Sequence, residues 1–225
     1  MKILKDLIRE YAVSGPYNLR EDFIPKGEGK NPPWVLLGSV GGVPSFVIGP
    51  GAKAFLAAEN FRPDQIDIIF NKFQNVPIER YTKYDAAFKN AEAEYGIDRN
   101  ILKAMALEES QLGKILVHPN WPDSTASGVI HMTAAAVMEL NKRRKEAGKE
   151  LIVHADLQKP HYADSSIMNA AEFIRDVLKP RHGDAPSSWI PQYKTGPDAQ
   201  NYLTRISALK KFILKFDEHA RGKVF

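Results

Sequence analysis

Apolar positions recur along this chain with two different periods. Ile3, Leu4, Leu7, Ile8 and Tyr11 share one helical face, and Val13-Ser14-Gly15-Pro16 breaks that helix. Residues 34–40 and 43–48 are instead two apolar, β-prone runs on either side of Gly41-Gly42. Paired glycines supply the positive φ of a two-residue turn, so these runs predict a hairpin, with Pro44 placing its strand at an edge. Pro63 then opens a short helix with Ile66, Ile69, Phe70 and Phe73 inward. Residues 74–81, around Pro77, read as a linker.

Beyond the linker the pattern is helical. Thr82 and Asp85 resemble a capping box, and Tyr84, Ala87, Phe88, Ala91 and Tyr95 follow at helical spacing. Gly96 stops that helix and Asp98 caps the next. Further helices are expected over 132–147, stopped near Gly148, over 165–178, stopped by Pro180, and over 199–216. In the last, Leu203, Ile206, Leu209, Phe212, Ile213 and Phe216 point inward. The expected fold is therefore mainly α. A small α+β module spans 1–78, and a helical region spans 79–225.

Composition narrows the classes. With 225 residues and 44% hydrophobic content the chain can bury a core, which excludes general disorder. The absence of cysteine excludes disulfide scaffolds, thiolate zinc sites and cysteine nucleophiles. A net charge of +4 and a pI near 9.1 permit attraction to an anionic polymer such as nucleic acid or bacterial cell wall. No signal peptide is evident, because charges interrupt the first ten residues. The most apolar stretch, 34–58, carries too many glycines and prolines for a membrane helix.

The helix from Ile101 to Gln111 carries the candidate chemistry. Ile101, Leu102, Met105 and Ala106 form its apolar stripe, and Glu109 continues it, four residues after Met105 and seven after Leu102. A desolvated carboxylate there has a raised pKa and serves as a general acid. Glu108, seven after Ile101, is poorly separated from it by periodicity, and a solvated helix end is the alternative for both.

At this point the chain resembles the lytic transglycosylase catalytic domain, a relative of goose-type lysozyme, and more closely its divergent bacteriophage versions. Leu107-Glu108-Glu109-Ser110 matches the first motif, an apolar helix ending in Glu-Ser, with Glu109 in the catalytic place. Ser127-Gly128-Val129-Ile130-His131-Met132-Thr133 matches the second, with His131 where Gln is usual. The stretch Ser166-Ile167-Met168-Asn169-Ala170-Ala171-Glu172-Phe173-Ile174 resembles the third, with Ser166 in place of Asn. Gln192-Tyr193-Lys194-Thr195-Gly196-Pro197 keeps the Tyr, Gly and Pro of the fourth and loses its Asn. The motifs keep the family's order and cover roughly 80–216.

The resemblance implies a lysozyme-like helical catalytic domain acting on the β-1,4 bond between N-acetylmuramic acid and N-acetylglucosamine. It implies Glu109 as catalytic acid and base, with a 1,6-anhydro product. Ser110, Gly128, Val129, His131, Met132 and Tyr193 line the substrate cleft, and the Tyr193 phenol orients Glu109 by a hydrogen bond. No cofactor is implied. The partners are peptidoglycan glycan strands, with virion or secretion-machine proteins as candidates for residues 1–78. Nucleic acid and membrane are not expected partners. Without an export signal, the protein is expected to reach the cell wall by virion delivery, lysis or dedicated secretion.

Other residues leave alternatives open. Asp123, in the loop from His118 to Ser124, is a candidate second carboxylate: reaching the cleft it makes an inverting hydrolase possible, and otherwise it is a turn aspartate capping local backbone. The departures at His131, Ser166 and Lys194 leave room for a decayed, wall-binding or virion structural protein. His154, His161 and His182 lie near Asp156, Asp164 and Asp184 without metal-ligand spacing, so no metal is expected. Trp121 and Trp189 either stack on sugar rings or pack inside. The run Lys142-Arg143-Arg144-Lys145 reads as a solvated helix end, with anionic glycan as the alternative contact.

Overall fold

The computed structural model describes residues 35–40, 43–48, 52–194 and 196–220. The helix expected over 3–11 and the turn at Gly41-Gly42 lie outside them. The protein is mainly helical, and it divides into two compact units, Met1–Tyr81 with Lys211–Phe225, and Thr82–Lys210. The sequence reading divides the chain at 78/79 and keeps residues 211–225 with the helical region.

In the first unit β1 (Val35–Val40) and β2 (Val43–Ile48) pair antiparallel, with Val40 opposite Val43 and Val35 opposite Ile48. Pro44 lies opposite Ser39 in this two-stranded sheet, where each strand has an edge to spare for a residue without an N–H. Helices α1 (Ala52–Ala58) and α2 (Pro63–Phe73) follow. Ile66, Ile69 and Phe73 of α2 are buried, while Phe70 is half-buried under the Lys53 ammonium. The expected linker instead contains a short helix, α3 (Ile78–Thr82), because Ile78 and Tyr81 bury their side chains. The Tyr81 ring stands edge-on to Phe73 at 5.5 Å, and its hydroxyl donates to Asp217 at 2.8 Å.

The second unit begins with α4 (Asp85–Tyr95). Thr82 does not cap it. Thr82 ends α3, and Tyr84 occupies the N-cap without a side-chain cap bond. Gly96 closes α4 in the left-handed region, at φ 66°. Asp98 caps α5 (Arg99–Ser110) by accepting from the Asn100 amide at 2.8 Å.

A single stripe understates the burial of α5. Residues 101–107 are all buried, including Lys103, whose ammonium reaches Asp85 at 2.8 Å. Charge pairing thus admits a lysine where helical periodicity predicts a solvated face.

Thr133 caps α6 (Ala134–Glu146) by accepting from Ala136 at 3.2 Å. Its basic end is only partly solvated. Arg144 turns inward and, with Lys149, pairs with the buried Glu172 carboxylate.

Helix α7 (Ala163–Phe173) passes through a π-type turn at Ile174–Leu178 into α8 (Lys179–His182). Pro180 therefore does not stop the helix. The wider turn ahead of it relieves the clash and the lost N–H bond that proline imposes on an α-helix. Helix α9 (Pro186–Tyr193) and α10 (Ala199–Ala220) complete the fold. Along α10 the expected Ile206, Leu209, Phe212, Ile213 and Phe216 are buried, Tyr202 joins them, and Leu203 is half-buried.

Candidate active site

The site is built at the C-terminal end of α5. The backbone turns there through Gln111 and Leu112, both at positive φ (53° and 57°), so the helix stops directly after Ser110. The two carboxylates at this end have different partners. Glu108 is held by Arg205 at 2.8 Å, a guanidinium that also grips Asp198. Glu109 projects toward His131, with 3.6 Å from its Oε2 to Nδ1, and toward Lys194, at 3.8 Å. Its side chain is only 7% exposed. The two carboxylates are thus both shielded but differently partnered: Glu108 lies in an ion-pair network with Arg205, and Glu109 faces His131 and Lys194.

Burial is the largest influence on Glu109 and pushes its carboxyl up. The His131 ring, the Lys194 charge and the Tyr202 hydroxyl oppose it, and together they hold the group below its ordinary value. This corrects the expectation of a carboxyl governed by desolvation alone. Tyr202 is missing from the sequence reading because its α10 spacing looks like ordinary core. Its hydroxyl is buried with no hydrogen bond of ordinary length among the described residues. Burial first, and then the Glu109 charge, push its phenol well above the usual tyrosine value.

The second motif forms a tight loop facing Glu109. Ser127 and Met132 exchange both backbone bonds, at 3.0 and 2.8 Å, so residues 128–131 make a closed turn. Gly128 sits at φ 93°, and a Cβ there would stand 2.9 Å from the Ser166 Cβ. A left-handed backbone and a close neighbour both require glycine.

Four side chains fix this turn. Ser110 Oγ donates to the Val129 carbonyl at 2.6 Å, and the Val129 amide donates to Ser166 Oγ at 3.0 Å. The Tyr193 hydroxyl donates to the Ile130 carbonyl at 2.9 Å, and His154 Nε2 donates to the Met132 carbonyl at 3.2 Å. Elements remote in sequence are thus joined at one turn.

Several expected contacts take another form. Ser110 is fully buried and ties α5 to the turn, also accepting from the Gly113 amide at 2.7 Å. Val129 and Met132 are buried as well and contribute backbone rather than exposed side chain. Tyr193 gives its hydrogen to Ile130 instead of Glu109. Burial first, and then the nearby Glu109 charge, push that phenol well above its usual value.

Asp123 is exposed in the turn at 119–123 and has no hydrogen bond or ion pair among the described residues. Trp189 is buried core. Trp121 is 45% exposed and lies over His154, with ring centroids 6.3 Å apart and planes 12° from parallel. Among the described residues no group of His, Asp or Glu converges to hold a metal, and no helix is long and apolar enough to cross a membrane. Neither a scan against models of known protein families nor a search of curated proteins finds a match for this chain.

Proposed function

We propose that this protein is a peptidoglycan lytic transglycosylase with a lysozyme-like helical domain preceded by a small α+β module. The observation that carries this reading is the meeting of four separated segments around one sequestered carboxylate. Glu109-Ser110, the 128–132 turn, Ser166 and Tyr193 are linked by the bonds just described, and Glu109 keeps its oxygens toward His131 and Lys194.

One acid suffices for the chemistry. Glu109 in its protonated form donates to the glycosidic oxygen as the bond to the muramic anomeric carbon breaks. The carboxylate left behind takes the proton of the muramic C6 hydroxyl, whose oxygen bonds to the anomeric carbon and closes the 1,6-anhydro ring. No water is consumed, and Glu109 ends protonated, as it began. An internal hydroxyl replaces the bound water that a second carboxylate would activate. A sugar lying over Glu109 adds to its burial, which favours the protonated form needed for the first step. Wall access during virion entry or at lysis suits this activity.

Mass spectrometry of fragments released from purified sacculi tests the proposal. Anhydro-muramic ends are expected, each lighter by one water than a reducing end. Reducing ends would assign hydrolysis instead. No fragments, or equal release by Glu109→Gln, would remove the enzymatic reading or Glu109's part in it.

A further inference from the structure

We propose that His131 is a positioning residue that shares a single proton with Glu109 and so keeps a proton beside the acid. The proposal rests on the acid role given to Glu109 above. It begins with hydrogen-bond direction. His131 Nε2 lies 2.9 Å from the Ile115 carbonyl oxygen, which can only accept, so Nε2 carries a hydrogen. The other ring nitrogen, Nδ1, faces Glu109 Oε2 at 3.6 Å. With Nε2 protonated, a neutral ring presents a lone pair at Nδ1, and a lone pair repels a carboxylate. The two groups attract only when a proton lies on one or the other.

Burial makes this choice consequential. The side chains of His131 and Glu109 are 2% and 7% exposed, so little water screens a repulsive pair. The separation is somewhat long for a hydrogen bond, as is common for catalytic groups before substrate tightens them.

The surroundings are mixed in charge. From α5 comes Glu108, already neutralised by Arg205 of α10. Tyr202 of α10 offers a phenol, and Lys194, just after α9, brings a positive charge. Tyr193 spends its hydrogen on Ile130. The His118 ring stands 5.9 Å from His131, where burial and the charges of His131 and Lys194 disfavour a second imidazolium. One proton between His131 and Glu109 therefore satisfies the pair without adding net charge.

Two measurements on the full chain test this. The first is nitrogen NMR of the histidine rings across about pH 5 to 8, where imidazoles report their protonation. In the wild type the His131 Nδ1 signal should be displaced from that of a bare ring nitrogen, and Glu109→Gln should abolish the displacement. The second is the pH profile of wall clearing. His131→Gln keeps an amide donor for the Ile115 carbonyl. It should displace the alkaline limb by about one unit, roughly tenfold in rate at a fixed pH on that limb.

An Nδ1 signal of a bare nitrogen, unchanged in Glu109→Gln, would overturn the shared proton. An unmoved limb in folded His131→Gln would do the same. Either result with an inactive Glu109→Gln leaves the proposed activity standing. Full clearing by Glu109→Gln removes that activity whatever the NMR shows.

Discussion

Lys194→Met probes the electrostatics of the site most directly. The ammonium lies 3.8 Å from Glu109 Oε2 and favours the ionised carboxylate. Coulomb's law at this distance gives about 1 kcal/mol in water-like surroundings and about 4 kcal/mol at an effective dielectric near 20. The lysine side chain is 39% exposed while the glutamate is nearly covered, so solvent screening places the interaction toward the low end, roughly 1–2 kcal/mol. At about 1.4 kcal/mol per unit, that is roughly one pKa unit.

Removing the cation raises Glu109, because the charged form loses support. The proton needed to start bond cleavage is then retained to higher pH. Turbidity clearing of purified walls, followed against pH at low and physiological salt, should show the alkaline limb moving up by about one unit in Lys194→Met. The displacement should shrink with salt, and Lys194→Arg should keep the wild-type limb. A limb that stays in place in Lys194→Met at low salt would refute the assignment of this contact as a control on Glu109.

Two further outcomes follow from geometry and charge. Gly128→Ala should destabilise the fold by about 2–5 kcal/mol, from left-handed strain and the contact with Ser166. Gly96→Ala, at φ 66° with open space around the added carbon, should cost only about 1–2 kcal/mol. Equal denaturation midpoints for the two variants would contradict the packing argument. The second outcome concerns acid. Arg175 holds Asp176 below its ordinary value, Arg205 does so for Asp198, and Asp98 and Glu109 are lowered by their partners against burial. Groups lowered on folding contribute stability that is complete above their unfolded values, near about pH 4, and is lost as pH falls through the folded ones. The urea midpoint should therefore drop between about pH 5 and pH 3, and a flat midpoint there would refute this.

Local signals carried much of the fold. The hairpin runs, the stop at Gly96, the Asp98 cap and the break near Gly148 each depend on a few neighbouring residues, which a sequence displays directly. Elements governed by tertiary context were less legible. Pro180 reads as a stop because the relieving π-type turn ahead of it has no sequence signature. Arg144 reads as solvated because its acidic partner, Glu172, lies 28 positions away.

The site divides in the same way. The inward direction of Glu109 was legible from helical phase. Tyr202 was not, because its place on the α10 stripe, four residues before Ile206, looks like ordinary core. The true tasks of Ser110, Ser166 and Tyr193 depend on which backbone groups come within reach, and that is set only once the chain is folded.

The way the 128–132 turn is mounted has an evolutionary consequence. Ser110, Ser166 and Tyr193 clasp the peptide groups of Val129 and Ile130, and none of those bonds uses the imidazole at position 131. That position is an interchangeable tool in a rigid handle. New side chains can be tried opposite the carboxylate while the backbone frame stays fixed, so the working pH can drift between lineages without redesign of the scaffold.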